Sequence, residues 1–272
     1  MSLNRPIYKL RDWIDLKKID WNLLSQNSNA IEILKKNKSK IIWFYLSSNP
    51  NAINLLETNQ NKINWSTLSK NPNAIKLLEK NQNKIDWYWL SANPNAIHLL
   101  ETNKDKINWF ELSGNPNAIK ILEEYWYNID WNNLCCNPNA IELLKKNQNK
   151  INWHWLSINP NAIELLKKNQ DKISWSWLSL NSNAISILEQ NTDKIDWFYL
   201  SLNQNAIELL EKNTDKINWC NISRNPSIFQ LDYDAMRKNN QEIYEELIKE
   251  VMKPSRVFKN PDYDYLEELF GD

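Results

Sequence analysis

Apolar and polar positions along this chain fall into blocks that repeat every 22 residues. Tryptophan marks the period without a slip, at Trp21, Trp43, Trp65, Trp87, Trp109, Trp131, Trp153, Trp175, Trp197 and Trp219. A fixed period of roughly 20–50 residues is the signature of stacked supersecondary units. In the block from Ile85 to Lys106, Asp86 is placed to cap a first helix starting at Trp87. Ile85 and Leu90 occupy the two positions of a hydrophobic staple. This helix is expected to end near Ala92. Asn93-Pro94 then opens a second helix, where proline loses no needed hydrogen bond. Its apolar stripe is Ala96, Ile97, Leu99 and Leu100. Asn103 is expected to end it in the left-handed conformation usually supplied by glycine, a residue used only twice in this chain.

Helices of roughly six and ten residues are marginal in isolation, so stacking must stabilise them. The prediction is an all-α solenoid of about ten helix-turn-helix repeats, with Trp, Ile and Leu columns forming one continuous core. At helix spacings of some 8–10 Å, about ten units make an arc roughly 80–100 Å long. Asn27, Asn49, Asn71, Asn93 and their successors through Asn225 never change. Such a column suits buried amides that hydrogen-bond backbone groups of neighbouring turns.

The ends depart from the pattern. Asp12-Trp13-Ile14-Asp15-Leu16 restarts a unit and jumps to Lys18-Ile19-Asp20-Trp21. Residues 1–18 therefore read as an N-terminal half-repeat cap, 19–229 as the solenoid, and 230–272 as a helical C-terminal cap or tail. A longer amphipathic helix is expected from Asp234 to Met252, with Ile243, Leu247, Ile248 and Val251 on one face. Lys253-Pro254 stops it, and a short amphipathic piece from Tyr263 to Phe270 follows. Capping the outermost core face is the first reading of these ends; a partner-docking tail is the alternative.

Composition narrows the chemistry. The formal net charge is zero, from 33 basic and 33 acidic residues, which argues against a polyanion-binding or membrane-surface protein. Three cysteines, Cys135, Cys136 and Cys220, make no disulfide framework and favour a reducing intracellular compartment. The charged N-terminus lacks a signal-peptide core, and no segment is long and apolar enough to span a membrane. His98 and His154 sit in different units without metal-ligand spacing, and no glycine-rich phosphate loop occurs. The recurring Glu57, Glu79, Glu101, Glu123, Glu189 and Glu211 read as a solvated helix face. No enzyme, metal or cofactor is expected.

Binding is the function class left. The two positions after each repeat Trp vary and are often aromatic, notably Tyr45, Trp89, Trp155, Trp177 and Tyr199. Two readings of them stand: an aromatic groove for a peptide or extended partner, or packing between successive first helices. Tyr125, Trp126 and Tyr127 break the polar turn of one unit, either as an exposed contact patch or by folding back over the solenoid edge. Cys135 replaces the usual Ser as a small-residue substitution. A lysine column (Lys40, Lys62, Lys84, Lys106, Lys150, Lys172, Lys194 and Lys216) beside aromatics suggests single-stranded RNA as the alternative ligand. Neighbouring Asp105, Asp171, Asp193 and Asp215 offset its field.

The stretch from Asn71 to Ser91, N-P-N-A-I-x-L-L-E-x-N-x-x-K-I-x-W-x-x-L-S, resembles repeat proteins encoded by giant viruses of amoebae. The resemblance covers about residues 12–229 and extends to Lys253-Pro254-Ser255-Arg256. It implies a viral, non-enzymatic protein-protein interaction scaffold acting in the host cytoplasm of an infected cell, with an unidentified host or viral protein as partner. A structural virion component is a further alternative.

Overall fold

The computed structural model describes residues 6–253. The chain divides into two compact units, Leu10–Phe229 and a smaller one made of Met1–Lys9 with Gln230–Asp272. The larger unit is the all-α repeat array. Numbering repeats by their Trp, from unit 1 at Trp21 to unit 10 at Trp219, unit 3 shows the plan. A first helix, Trp65–Ser69, is capped by Asn64, whose side chain accepts from the Thr67 amide. A 3-10 turn follows at Pro72–Ala74, then a second helix at Ile75–Glu79 and another 3-10 turn at Gln82–Lys84. In unit 4 Asp86 caps Trp87–Ser91 as expected, accepting from the amides of Tyr88 and Trp89.

Two local expectations change. The single ten-residue second helix is instead a turn plus five or six helical residues. The break falls at the alanine, where Ala74 has φ −89 and ψ 0, the sparsely populated bridge region. Asn103 does not turn left-handed: its φ is −135 and ψ 52. Its side-chain amide donates to the Leu99 carbonyl at 2.9 Å, covering a helix-end carbonyl that a left-handed cap would otherwise satisfy. The same bond recurs from Asn37, Asn59, Asn81, Asn147, Asn169, Asn191 and Asn213.

Three polar columns bind each unit to the one before it. The amide of each invariant Asn, from Asn27 to Asn225, donates to two carbonyls of the preceding unit at 2.7–3.1 Å. Its oxygen accepts from the amide two residues on, capping the 3-10 turn. A second Asn two positions later donates to one more carbonyl of that preceding unit. The buried Ser closes the set: Ser47 Oγ donates to the Trp43 carbonyl and accepts from the Asn64 amide of the next unit. The invariant asparagines and the serines are buried and would be costly to leave unpaired; each is satisfied.

The fully buried apolar columns are Leu, Ala and Leu, for example Leu46, Ala52 and Leu56. The repeat Trp side chains are only half-buried, a correction to the continuous Trp core. Eight of the ten lie under a lysine ammonium 4.3–4.9 Å from the ring. The lysine column is thus occupied as a roof on the indoles, a cation–π arrangement.

The expected open arc is not what forms. Unit 10 contacts unit 1 through the bonds used everywhere else. Asn27 donates to the carbonyls of Ser223 and Asn225, and Asn29 to that of Pro226. The Asp20 amide donates to Ser223 Oγ, and Lys18 lies over Trp219. The array is a closed ring, with about 36° of rotation per unit. Lys18-Ile19-Asp20, read as part of an end cap and its continuation, supplies the strip that unit 10 lacks, with Ile19 buried in the isoleucine column. Where unit 10 should have a second helix, Pro226–Ile228 leads into strand β2 (Phe229–Leu231), paired with strand β1 (Tyr8–Leu10). Arg11 donates its amide to the Ile228 carbonyl, and Asp232 donates to that of Ile7.

The C-terminal helix expected after the array is present at Tyr233–Val251. Ile248 of its expected apolar face is exposed; the side chains of Ile243, Leu247 and Val251 lie outside the described residues. So do the segment from Tyr263 to Phe270 and Pro254-Ser255-Arg256.

Candidate interaction surface

Leucine and serine at the third and fourth positions after each Trp point the first helix into the core, as with Leu46 and Ser47. The first, second and fifth positions consequently face away from it. Successive first helices approach more closely than successive second helices. In a closed ring the more tightly spaced layer is the concave one, so this face lines the inside.

Position one is solvent-exposed where aromatic: Phe44, Tyr88, Phe110 and Phe198 are 42–52% exposed. Position two, holding Tyr45, Trp89, Trp155, Trp177 and Tyr199, is half-buried. These side chains are thus neither fully buried between the first helices nor fully exposed. Trp155 and Trp177 have ring centroids 5.1 Å apart, and Trp177 and Tyr199 5.2 Å. Each ring rests tilted on its neighbour and stays partly exposed. Trp177 Nε1 donates to His154 Nε2. Tyr45 and Trp89 instead meet Phe44 and Tyr88 edge-on, and Lys70 lies 4.9 Å over Trp89.

The fifth position of one unit packs beside the second of the next, as Lys70 on Trp89 and Cys136, whose thiol donates to the Trp155 carbonyl, show. Taken together, these three positions in units 6 to 9 carry no Asp, Glu, Lys or Arg. They are Asn132, Asn133 and Cys136; His154, Trp155 and Ile158; Ser176, Trp177 and Leu180; Phe198, Tyr199 and Leu202. Elsewhere on the same face stand Lys70, Glu111 and Arg224. Units 1, 2 and 4 are uncharged at these positions as well, so units 6 to 9 are the longest uninterrupted neutral run on a face that carries charge in three units only. The residues were visible in the sequence. Their adjacency was not, because it depends on the fifth-to-second contact between units.

Tyr125, Trp126 and Tyr127 form a separate feature in the turn after the second helix of unit 5. Tyr125 folds back onto Trp109 with centroids 5.4 Å apart, taking the place of the roofing lysine, since Asn128 stands at that position. Lys104 donates to the Tyr125 hydroxyl at 2.8 Å. Trp126 and Tyr127 stack on each other but stay 53% and 81% exposed. Tyr125 thus folds back over its own unit, whereas its two neighbours stay exposed.

The remaining chemistry is quiet. Cys135 fills the Ser position and accepts from the Asn152 amide at 3.4 Å; burial pushes its thiol up. Burial pushes Cys136 up to about 12. The hydrogen bond to Asp20 raises Cys220, with burial adding to it. Thiols in this state are poor nucleophiles at neutral pH. A hydrogen bond to Glu111 raises the Tyr88 phenol. His98 pairs with Glu79 at 2.9 Å on the exposed second-helix side. Among the described residues no group of three His, Cys, Asp or Glu is gathered as a metal site would require, and no helix is long and apolar enough to cross a membrane.

Fold and surface together define a class: a closed helical-repeat ring with a largely uncharged, aromatic-bearing concave face. No protein-family model, curated protein or solved structure matches the chain.

Proposed function

We propose that this protein is a non-enzymatic interaction scaffold whose ring holds an apolar, extended segment of a protein partner against the arc of Trp155, Trp177 and Tyr199. The observation that carries the reading is the absence of Asp, Glu, Lys and Arg from these three positions over four consecutive units, beside stacked, half-exposed rings. Apolar and aromatic cores with charge excluded are what protein partners desolvate most cheaply. The RNA alternative draws less support. The column lysines sit on their own indoles, and stacking platforms for bases need free ring faces, whereas here the faces lie against one another. The resemblance to repeat proteins of amoeba-infecting giant viruses supports the cytoplasm of an infected cell as the site of action.

The test places a charge in the arc without touching the core. Ser176 stands at the partly exposed first position of unit 8, so Ser176→Lys leaves the packing columns intact. Affinity capture from amoebal lysate, with and without nuclease, is compared between wild type and this variant. A protein retained by wild type, lost with Ser176→Lys and indifferent to nuclease is the expected result. Equal retention by both proteins, or release by nuclease, would overturn the reading.

A further inference from the structure

We infer that the C-terminal helix, Tyr233–Val251, is a self-association surface that pairs antiparallel with the same helix of a second copy. It is 19 residues long, or about 28 Å. Two rows of side chains spaced four apart run along one exposed side. One row is Tyr233, Arg237, Gln241 and Glu245; the other includes Asn240, Tyr244 and Ile248. Between them lies an open groove of 510 Å³. Tyr233, Tyr244 and Ile248 are 67%, 64% and 59% exposed, large apolar areas to leave in water.

The shape and the charge both select a second copy as occupant. A groove between two rows of four-residue spacing is complementary to a row of the same spacing on another helix, the commonest way helices pack. The charges then fix direction. Arg237 and Lys238 lie toward the start of the helix, Glu245 and Glu246 toward its end. An antiparallel pair centred on Gln241 sets Arg237 of each copy against Glu245 of the other and Tyr233 close to Ile248. A parallel pair would set Arg237 against Arg237. The two-fold interface is thus self-complementary. A single helix pair buries less than a standard stable interface, so the dimer is weak and concentration-dependent. This surface is independent of the aromatic arc.

Sedimentation velocity of the full chain, from low to high concentration, reads the prediction. The wild type shifts from monomer to dimer, and Arg237→Glu or Glu245→Arg alone weakens that shift by roughly tenfold or more. The doubly exchanged variant, Arg237→Glu with Glu245→Arg, dimerises again. An equimolar mixture of the two single variants forms a heterodimer, because each supplies the charge the other lacks. Far-UV circular dichroism confirms that the variants fold. A wild type that stays monomeric at every concentration, a dimer indifferent to these exchanges, or a mixture that does not associate overturns the inference.

Discussion

The junction between units 2 and 3 and the junction between units 10 and 1 differ greatly in sequence separation and hardly at all in chemistry. At the first, Asn71 reaches carbonyls 24 and 22 residues back. At the second, Asn27 reaches the equivalent carbonyls 196 and 198 residues ahead. Serine bridges match too, the Asn64 amide donating to Ser47 and the Asp20 amide to Ser223. What differs is the continuation of the chain: after Pro226–Ile228 a strand begins at Phe229 where every other unit begins its second helix. The columns that repeat are therefore sufficient to make a junction, and a second helix in the preceding unit is not required. Closure also changes the accounting of a linear solenoid, in which terminal units hold one neighbour only. Here all ten units have two.

The comparison breaks most sharply at the asparagines. Asn93→Ala removes two buried hydrogen bonds and the turn cap, which together cost roughly 3 kcal/mol. If the seam is an ordinary junction, Asn27→Ala costs the same. In an open arc Asn27 would have only its turn cap to lose, about 1 kcal/mol. Urea unfolding followed by tryptophan fluorescence distinguishes the two values. Kinetics sharpen the result. Bringing together residues some 200 apart before the arc has formed costs about 2 kcal/mol more than closing a 22-residue loop, so the seam forms last. Asn27→Ala should accordingly speed unfolding and leave the folding rate nearly unchanged.

Much of this architecture was legible in the chain, and the exceptions share a physical cause. The period, the Asp86 cap and the buried Asn column follow from local chemistry that one unit displays completely. Closure does not, since it is the sum of ten small rotations and no single unit encodes the total. The clue lay in Lys18-Ile19-Asp20, which copies the strip before every later Trp without a preceding second helix. Asn103 was misjudged because asparagine can end a helix through its backbone or through its amide, and both routes use the same residue. The half-burial of the indoles was hidden in the lysines 19 residues later. The aromatic candidates were correctly located as variable positions, but the neutral arc needed the contact between one unit's fifth position and the next unit's second.

One interior junction departs from the rest in a single atom and gives a smaller test. Between units 6 and 7, Cys135 replaces serine, and the Asn152 amide must donate to sulfur at 3.4 Å, a weak acceptor. Cys135→Ser restores the bond found at Ser47 and Ser223. It should stabilise the ring by roughly 0.5–1 kcal/mol, read as a rise in urea midpoint at unchanged slope. A loss of stability would mean that the local packing has adapted to the larger atom and that the serine columns are not interchangeable.

The smallest effect falls on the lysine roof. Lys62 over Trp43 and Lys18 over Trp219 have centroid distances of 4.8 and 4.9 Å, one at an ordinary junction and one at the seam. Both lysines are exposed, so each contact is worth about 0.5–1 kcal/mol. Replacing either with Met keeps the aliphatic stem over the indole and removes only the charge. Equal losses at Lys62→Met and Lys18→Met, measured by chemical unfolding at low salt, would show that the N-terminal strip docks as firmly as any internal one. A loss confined to Lys62→Met would mean that the seam breathes while the rest of the ring holds. Because the Asn27 bonds are buried and this contact is not, the two positions can disagree. That disagreement would place the breathing at the exposed roof and leave the buried asparagine column closed.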